Sequence, residues 1–286
     1  NQQLHSAGYD FTLSAFHHDV AVLPNGHWVA LANIVKPFTD LPGYPGTTNV
    51  LGDLLVDLDQ DLKPVWVWNE FDHLDVNRHP MGFPDWTHSN AVIYSKDDGN
   101  LLVSIRHQNW IVKIDYRDGI GSGDILWRLG NEGDFTLQGG TAPQDWQYAQ
   151  HGPAFQSDNT AGNFLLSVMD NGDDRVFSSG ITCDQPDQPP CLYTTVPIYQ
   201  IDESARTATL LFHQVLPAAE YSNWGGNTER LENGNVFFDL ASAGGAGLVQ
   251  EVTNQPHPQL VWQMLIRNEN SYRAVHLPSL YPGIQW

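Results

Sequence analysis

The sequence predicts an all-β protein, a β-propeller built from four-stranded antiparallel blades. Apolar residues recur in short runs of strand length that are bounded by Gly, Pro, Asn and Asp. These runs form four groups of four, with a Gly-bearing hairpin between the first two runs and an aromatic residue in the last run of each group. Repeated four-strand meanders of this kind are typical of propellers. The alternative is a β-sandwich, which repeats less regularly.

The predicted blades follow one another along a single domain that spans residues 1–286, and residues 272–277 form a further strand-like run. The long segments 36–50, 131–150 and 169–193 are expected to be loops, which in propellers commonly build the binding site. A four-bladed ring and a larger ring are both compatible with this pattern. The strands are expected at 18–23, 28–33, 53–59 and 64–71; 88–94, 100–106, 110–116 and 124–129; 151–156, 163–169, 194–201 and 208–215; and 227–231, 235–240, 247–253 and 259–266.

The net charge of −20, with only 13 Lys and Arg residues in 286, disfavours nucleic acid and anionic membranes as partners. No apolar run approaches the ~20 residues of a membrane-spanning helix. The chain begins at Asn1 and carries no signal peptide. We therefore expect a processed or truncated form whose export signal has been removed.

The two cysteines, Cys183 and Cys191, flank a proline-rich loop of seven residues. This arrangement favours a local disulfide and hence a periplasmic or extracellular location, with two free thiols as the alternative. No Cys-x-x-Cys pattern suggests zinc.

Three histidines occupy the same position at the start of the first strand in three consecutive blades. They are His18, His88 and His151, separated by 70 and 63 positions, and Gly226 stands at this place in the fourth blade. The first strand of a propeller blade is the innermost, so equivalent positions converge around the central channel. The sequence therefore predicts a shared pocket lined by histidines.

A structural role and a metal-binding role are the two alternatives for these histidines. A histidine at a strand start is often a structural residue, although sheet packing prefers Val, Ile or Thr at such a position. Three histidines can also bind zinc or copper. The one carboxylate in register, Asp19, is expected on the other face of its strand. Our preferred prediction includes no metal and no cofactor.

Arg106 ends the second strand of its blade, and Asn90 lies two residues after His88 on the same predicted face. Arginine beside histidine can bind a planar or tetrahedral oxyanion through two hydrogen bonds. Together these residues predict a site for a sulfate-like or phosphate-like group. Four aromatic residues precede the first strands and are expected either to stack on an aromatic acceptor or to seal loops: Trp86, Trp146, Tyr148 and Trp224.

The sequence contains no phosphate-binding loop, no Gly-x-Ser-x-Gly motif and no cysteine nucleophile with a clear partner. Histidine can itself carry a transferred group covalently, with Arg, Asn and other imidazoles stabilising the charge. These residues therefore predict sulfuryl or phosphoryl transfer through a histidine intermediate. Residues 170–175 are interpreted as a turn, because the spacing of a calcium loop is absent, and Arg175 is a weak candidate for the site.

The chain resembles the bacterial arylsulfate sulfotransferases, which act without PAPS and have a six-bladed propeller. The resemblance rests on His-His-Asp-Val before Leu-Pro-Asn-Gly, Asp-Trp-Thr-His-Ser-Asn, Ser-Ile-Arg-His-Gln-Asn, Ile-Leu-Trp-Arg-Leu-Gly, Gln-His and Asp-Asn-Gly-Asp, which begin at residues 17, 85, 104, 125, 150 and 170. It implies transfer of a sulfuryl group from an aryl sulfate to a phenol in a ping-pong cycle. The N-terminal domain and first blades of the family are not recognisable here, so a homo-oligomer or an additional chain could complete the ring.

The resemblance also implies a role for each site residue. His151 would be the nucleophile that forms a transient sulfohistidine. His88, Asn90 and Arg106 would bind the sulfuryl oxygens, and His18 would assist proton transfer. A disulfide near the site in the family would correspond to Cys183 and Cys191. A second functional hypothesis is a non-catalytic propeller that serves as a binding or structural module outside the cell.

Overall fold

The computed structural model describes residues 1–157, 159–173, 175 and 192–277. It consists mainly of four sheets, each composed of consecutive strands in the order expected for propeller blades. Cys183 and Cys191 lie outside the described residues, so the disulfide remains a prediction.

Blade 1 contains β1 (Ala15–Val22), β2 (Trp28–Leu41), β3 (Tyr44–Leu58) and β4 (Pro64–Asn69). Blade 2 contains β5 (Ser89–Ser95), β6 (Asn100–Ile105), β7 (Trp110–Ile114) and β8 (Ile125–Leu129). Blade 3 contains β10 (His151–Phe155), β11 (Asn163–Met169), β12 (Thr195–Asp202) and β13 (Thr207–Val215), and β9 (Thr136–Gln138) pairs in parallel with β13. Blade 4 contains β14 (Asn227–Arg230), β15 (Val236–Ala243), β16 (Ala246–Val252) and β17 (Leu260–Ile266).

The described helices are short: α1 (Gln2–Ser6), α2 (Glu70–His73) and the 3₁₀ turns Arg106–Gln108, Arg117–Gly119 and Ala218–Glu220. Within the described parts of the chain, no helix is long and apolar enough to cross a membrane.

The first strand of each blade packs against the first strand of the next, since β5 contacts both β1 and β10, and β10 contacts β14. The predicted all-β class and the four antiparallel blades are therefore confirmed. The six-bladed ring stays a prediction.

The hydrophobic core is divided into layers between neighbouring blades. Leu31, Trp68 and Val103 belong to the layer between blades 1 and 2. Trp127 and Phe164 belong to the layer between blades 2 and 3, and a third layer joins blades 3 and 4. Burial of apolar surface in each layer stabilises the fold by about 25 cal/mol per Å². The blades are consequently held in a fixed relation, which is what allows their inner ends to form a site.

Three segments differ from the sequence-based expectation. Residues 36–50 form the long distal part of the β2–β3 hairpin, because β2 and β3 continue to pair beyond the edge of blade 1. Pro37 is tolerated there because β1 pairs with β2 only as far as Asn33, which leaves one edge of β2 free. The expected loop 131–150 contains β9, whose place in the sheet depends on its distant partner β13.

The strand-like run 272–277 forms no strand. This segment instead passes from blade 4 toward blades 1 and 2. Its backbone bonds to the amide side chain of Asn227, through Asn227 Nδ2 to Ala274 O at 2.8 Å and Ala274 N to Asn227 Oδ1 at 2.9 Å. The preceding residue reaches blade 1, since Arg273 Nη1 lies 3.0 Å from Oδ1 of Asp19 in β1. Side-chain partners therefore replace the backbone ladder that a strand would need.

Candidate active site

The inner strands of blades 1, 2 and 3 are all irregular near the predicted histidine position. The pairing register shifts between Phe16 and Val20 in β1, between Ser89 and Ala91 in β5, and after His151 in β10. His18 and His88 have left-handed backbones, with φ of +53° and +50°. Bulges of this kind re-aim side chains, and such strained backbones concentrate at functional sites.

The structure brings histidines from different blades together at these bulges. The ring centroids of His18 and His88 are 5.0 Å apart, and His88 stacks on His107 at 4.7 Å. Tyr272 joins the group, with its ring 6.1 Å from that of His18 and 6.3 Å from that of His151. The three in-register histidines therefore surround one common region.

The surroundings of His151 assign the protons on its ring. Its Nδ1 lies 2.7 Å from Oδ1 of Asn171. The Asn171 amide is itself oriented, because its Nδ2 donates to the carbonyl oxygens of Ser222 and Gly225 at 2.8 and 3.1 Å. Since Oδ1 can only accept, Nδ1 of His151 carries the hydrogen, and a neutral ring keeps its lone pair on Nε2.

The His151 ring is held in the neutral form. Burial lowers its pKa well below 6.5, and the positive charge of Arg106 lowers it further, whereas the hydrogen bond to Asn171 opposes this change. A neutral imidazole with a free Nε2 is the form that can act as a nucleophile.

The backbone that leads into His151 is attached to blade 2. The side chain of Gln150 donates to Trp110 O at 2.9 Å and to Ser104 Oγ at 3.1 Å. In return, Asn90 Nδ2 donates to Gln150 O at 2.7 Å. Asn90 is fully buried, so this contact makes it a support for the backbone that precedes His151.

Arg106 lies between His107 and Asp173. Its Nη1 donates to His107 Nε2 at 2.6 Å, and its Nη2 donates to Asp173 Oδ2 at 2.5 Å. Tyr221 also donates to Asp173. Among the described residues, the buried Nε of Arg106 has no hydrogen-bond acceptor. This guanidinium therefore keeps one unpaired N–H, and its positive charge acts on His151.

Asp85 and His107 orient the other side of the site. Nδ1 of His88 donates to Asp85 Oδ2 at 2.5 Å, and Nδ1 of His107 donates to Asp85 O at 2.6 Å. Burial lowers the pKa of His107 to about 4, so its neutral ring can accept from Arg106. Burial alone would raise the pKa of Asp85, but the hydrogen bond from His88 and the nearby positive groups outweigh it and lower that pKa.

Asp85, His88 and His107 also have the geometry of a metal-binding group, since each offers a ligand atom within 4.8 Å of the others. This group differs from the histidine triad that the sequence offers as a metal site, because only His88 is common to both. Both ring nitrogens of His107 are already hydrogen-bonded to Arg106 and Asp85. A metal ligated by His107 would have to displace one of these bonds, so the three residues fit better as a hydrogen-bonded support for Arg106 and His88.

The model of the arylsulfotransferase family, ASST, matches residues 3–273. The chain belongs to the arylsulfotransferase family. The comparison with curated proteins gives no match. Family membership confirms the resemblance seen in the sequence and indicates an arylsulfotransferase-like function with small aryl substrates.

Three residues predicted to contact substrate in this family member lie in the core instead. Trp86 is fully buried, stacks on Phe71 at 5.0 Å and donates to Arg78 O. Trp146 is 3% exposed and packs in the layer between blades 2 and 3. Both tryptophans lie just before inner strands, where the surrounding core leaves no side of the ring open to solvent, so they seal loops. Arg175 is also buried, paired with Asp170 at 2.7 Å, so it anchors its loop.

Several residues that lie at the site have no role predicted from the sequence. Asp85, Asn171 and Asp173 stand in the family motifs, where their position beside a histidine or in an Asn-Gly turn was the available signal. His107 follows Arg106 directly, and Tyr221 and Tyr272 lie in segments that the blade pattern leaves out. Only the packing of blade 4 and the segment after it brings these tyrosines to the site.

Proposed function

We propose that this protein transfers a sulfuryl group from an aryl sulfate to a phenol through a covalent intermediate on Nε2 of His151. The observation that carries the proposal is the Asn171–His151 hydrogen bond, which leaves Nε2 unprotonated beside the charge of Arg106. In the first step the sulfur–oxygen bond of the donor breaks while the Nε2–sulfur bond forms, and the first phenol leaves as its phenolate. In the second step the acceptor oxygen takes the sulfuryl group and Nε2 recovers its lone pair.

The positive and donating groups around Nε2 suit the charge that develops on the sulfuryl oxygens. Arg106 has a free donor atom, and His88 is oriented by Asp85 at the same end of blade 2. Fixed donors of this type typically contribute about 10²- to 10³-fold to kcat. His18 is available for proton exchange with the phenol oxygen, because its ring is only partly buried and stands next to His88.

The convergence of the histidines favours this enzyme over a non-catalytic binding or structural module. A binding module does not require the three inner-strand histidines to lie close together. In this protein Tyr272 contacts both His18 and His151. We further propose that the protein acts in the periplasm or outside the cell and that Cys183 and Cys191 form a disulfide. Mass spectrometry of peptides prepared without reduction tests the linkage.

The decisive experiment incubates native protein and His151→Ala with para-nitrophenyl sulfate and a phenol acceptor. We expect native protein to release nitrophenolate and to gain the mass of one SO₃ group on the peptide that contains His151, because Nε2 attacks sulfur. The variant should lose both signals, with activity reduced at least about 10³-fold. Equal turnover by the two proteins would contradict the mechanism.

A further inference from the structure

One histidine and one aspartate of blade 1 connect to the site without belonging to it. His17 precedes His18 in β1, and the Nδ1 atoms of the two rings lie 2.6 Å apart. On its other side, His17 Nε2 lies 3.1 Å from Oδ1 of Asp53 in β3. The contacts therefore run in the order Asp53, His17, His18, from the buried interior of blade 1 to the site.

Asp53 is held in place as a hydrogen-bond acceptor. Its Oδ2 accepts from the backbone N of Ser89 at 2.6 Å and from Oγ1 of Thr87 at 2.8 Å. The fully buried Glu70 lies beside it and accepts from Ser89 Oγ at 2.6 Å. Burial and the charge of Asp53 raise the pKa of Glu70, so the proton of this carboxyl pair is favoured on Glu70.

These contacts indicate which nitrogen of each imidazole carries hydrogen. Nε2 of His17 makes no aligned hydrogen bond among the described residues, but the Asp53 carboxylate 3.1 Å away favours a hydrogen over a lone pair on this nitrogen. Nδ1 of His17 then holds a lone pair and must accept from Nδ1 of His18. A neutral His18 with its hydrogen on Nδ1 has its own lone pair on Nε2.

We propose that Asp53 and His17 are positioning residues for the second half-reaction, in which they hold His18 with Nε2 ready to take the proton of the acceptor phenol. This inference rests on the proposed function. The phenol O–H bond breaks as its oxygen bonds to sulfur, the Nε2–sulfur bond of His151 breaks, and the proton passes to Nε2 of His18. The hydrogen on Nδ1 of His18 then strengthens its bond to His17, whose own Nε2–H faces the Asp53 charge.

The surroundings of His18 explain why such support is needed. Burial and the neighbouring His88 and His17 lower the pKa of His18 to about 4, whereas Asp53 and Asp85 raise it. By itself such an imidazole is a weak base. A carboxylate that acts through His17 favours the protonated state of His18 at the moment when the phenol proton arrives.

The test compares native protein with His17→Phe and Asp53→Asn, using para-nitrophenyl sulfate as donor and a series of phenols as acceptors. In a ping-pong cycle, kcat/KM for the acceptor reports only the second half-reaction. We expect both variants to lower this value about 10- to 100-fold with weakly acidic alkylphenols, because their proton must be removed during transfer. With acidic nitrophenols, which are already ionised, the loss should be about threefold or less.

The matched controls are His27→Gln and Asp57→Asn, which alter a similar pair in blade 1, with His27 Nδ1 3.0 Å from Asp57 Oδ1. These controls should leave the dependence on phenol acidity unchanged. A loss in His17→Phe and Asp53→Asn that is equal for all acceptors, or no loss, would overturn the inference while leaving His151 chemistry intact. The initial burst of nitrophenolate separates the two proposals, because its absence in native protein would remove the proposed function itself.

Discussion

At the scale of single residues, the site depends on which atom of each histidine carries a proton. Asn171 fixes this for His151, Asp85 for His88, and Asp85 O with Arg106 for His107. Each histidine is thus oriented by a neighbour from a loop or a turn rather than by the pairing of strands. The position of the proton on each histidine is therefore set by a neighbouring residue, and the alignment of the blades in the sequence does not reveal that neighbour.

The protonation state of His151 gives a prediction about pH. Because burial and Arg106 lower its pKa well below 6.5, the ring stays neutral and nucleophilic as the pH falls through 6.5, and it is protonated only at lower pH. The rate of the nitrophenolate burst should therefore remain constant across pH 6.5 and decline only in more acidic solution. Rapid-mixing measurements over a pH series check this.

Arg106→Gln provides the control for this pH dependence, since it removes the second-largest cause of the lowered pKa. Its burst will be slower, but the acid limb of its rate should move toward higher pH. A native limb centred at 6.5, or a limb that Arg106→Gln leaves in place, would contradict the assignment.

At the scale of elements, the distal β2–β3 hairpin supports the loop that leads to Asp85. Tyr44 packs edge-to-face on Phe83 at 4.9 Å, and its hydroxyl accepts from Phe83 N at 3.3 Å. Leu51 bonds to this loop through the carbonyl of Pro84 and the amide of Trp86, at 2.7 and 2.9 Å. The hairpin thus fixes the position of a residue that orients His88.

Tyr44→Ala tests the role of this hairpin. Loss of the aromatic contact and the hydrogen bond should cost about 1–3 kcal/mol of local stability. We expect faster hydrogen exchange in residues 79–87 and a slower burst, with little change in the amides of blade 4. Substitution of Leu260, an exposed residue of β17, by Ala is the control. Unchanged exchange in residues 79–87 would show that the loop holds its place without Tyr44.

The elements also show where sequence was sufficient. The blade pattern predicted most strand positions to within a few residues, because each strand is a short apolar run and each hairpin has its own turn residues. It also predicted that His18, His88 and His151 meet, since inner strands share one axis. It missed the β2–β3 extension, where Pro37 and Gly43 are typical of a loop, and it left two roles open for Trp86, because burial depends on blade packing.

At the scale of the whole molecule, the segment 271–277 links the last described blade to the first two. Arg273 pairs with Asp19 at 3.0 Å and donates to Asn90 O at 3.3 Å, while Tyr272 O accepts from Gly226 N at 2.9 Å. This link spans 254 residues of sequence between Arg273 and Asp19. It also places Tyr272 against His18 and His151, so the fold and the site share this contact.

The Arg273–Asp19 pair should therefore be worth more than an ordinary surface ion pair, since both groups are partly buried. A double-mutant cycle with Arg273→Met and Asp19→Asn should give a coupling free energy of about 1–2 kcal/mol in urea unfolding. The exposed Lys63–Asp61 pair, at 3.1 Å, is the control and should give less than about 0.5 kcal/mol. Equal coupling free energies in the two pairs would mean that the Arg273–Asp19 pair stabilises the link between blades 4 and 1 no more than a surface ion pair would.

The order of the blades has a consequence for dividing the protein. Exposed residues 138–142 separate blades 1 and 2, which contain His18, His88 and Arg106, from the strand that begins at His151. A break there gives two polypeptides, one with His18, His88 and Arg106 and the other with His151. Neither half contains the complete site, so we expect the proposed sulfuryl transfer to require their association. Fused to two interacting partners, the halves would form a split reporter that releases a coloured phenol only when the partners meet.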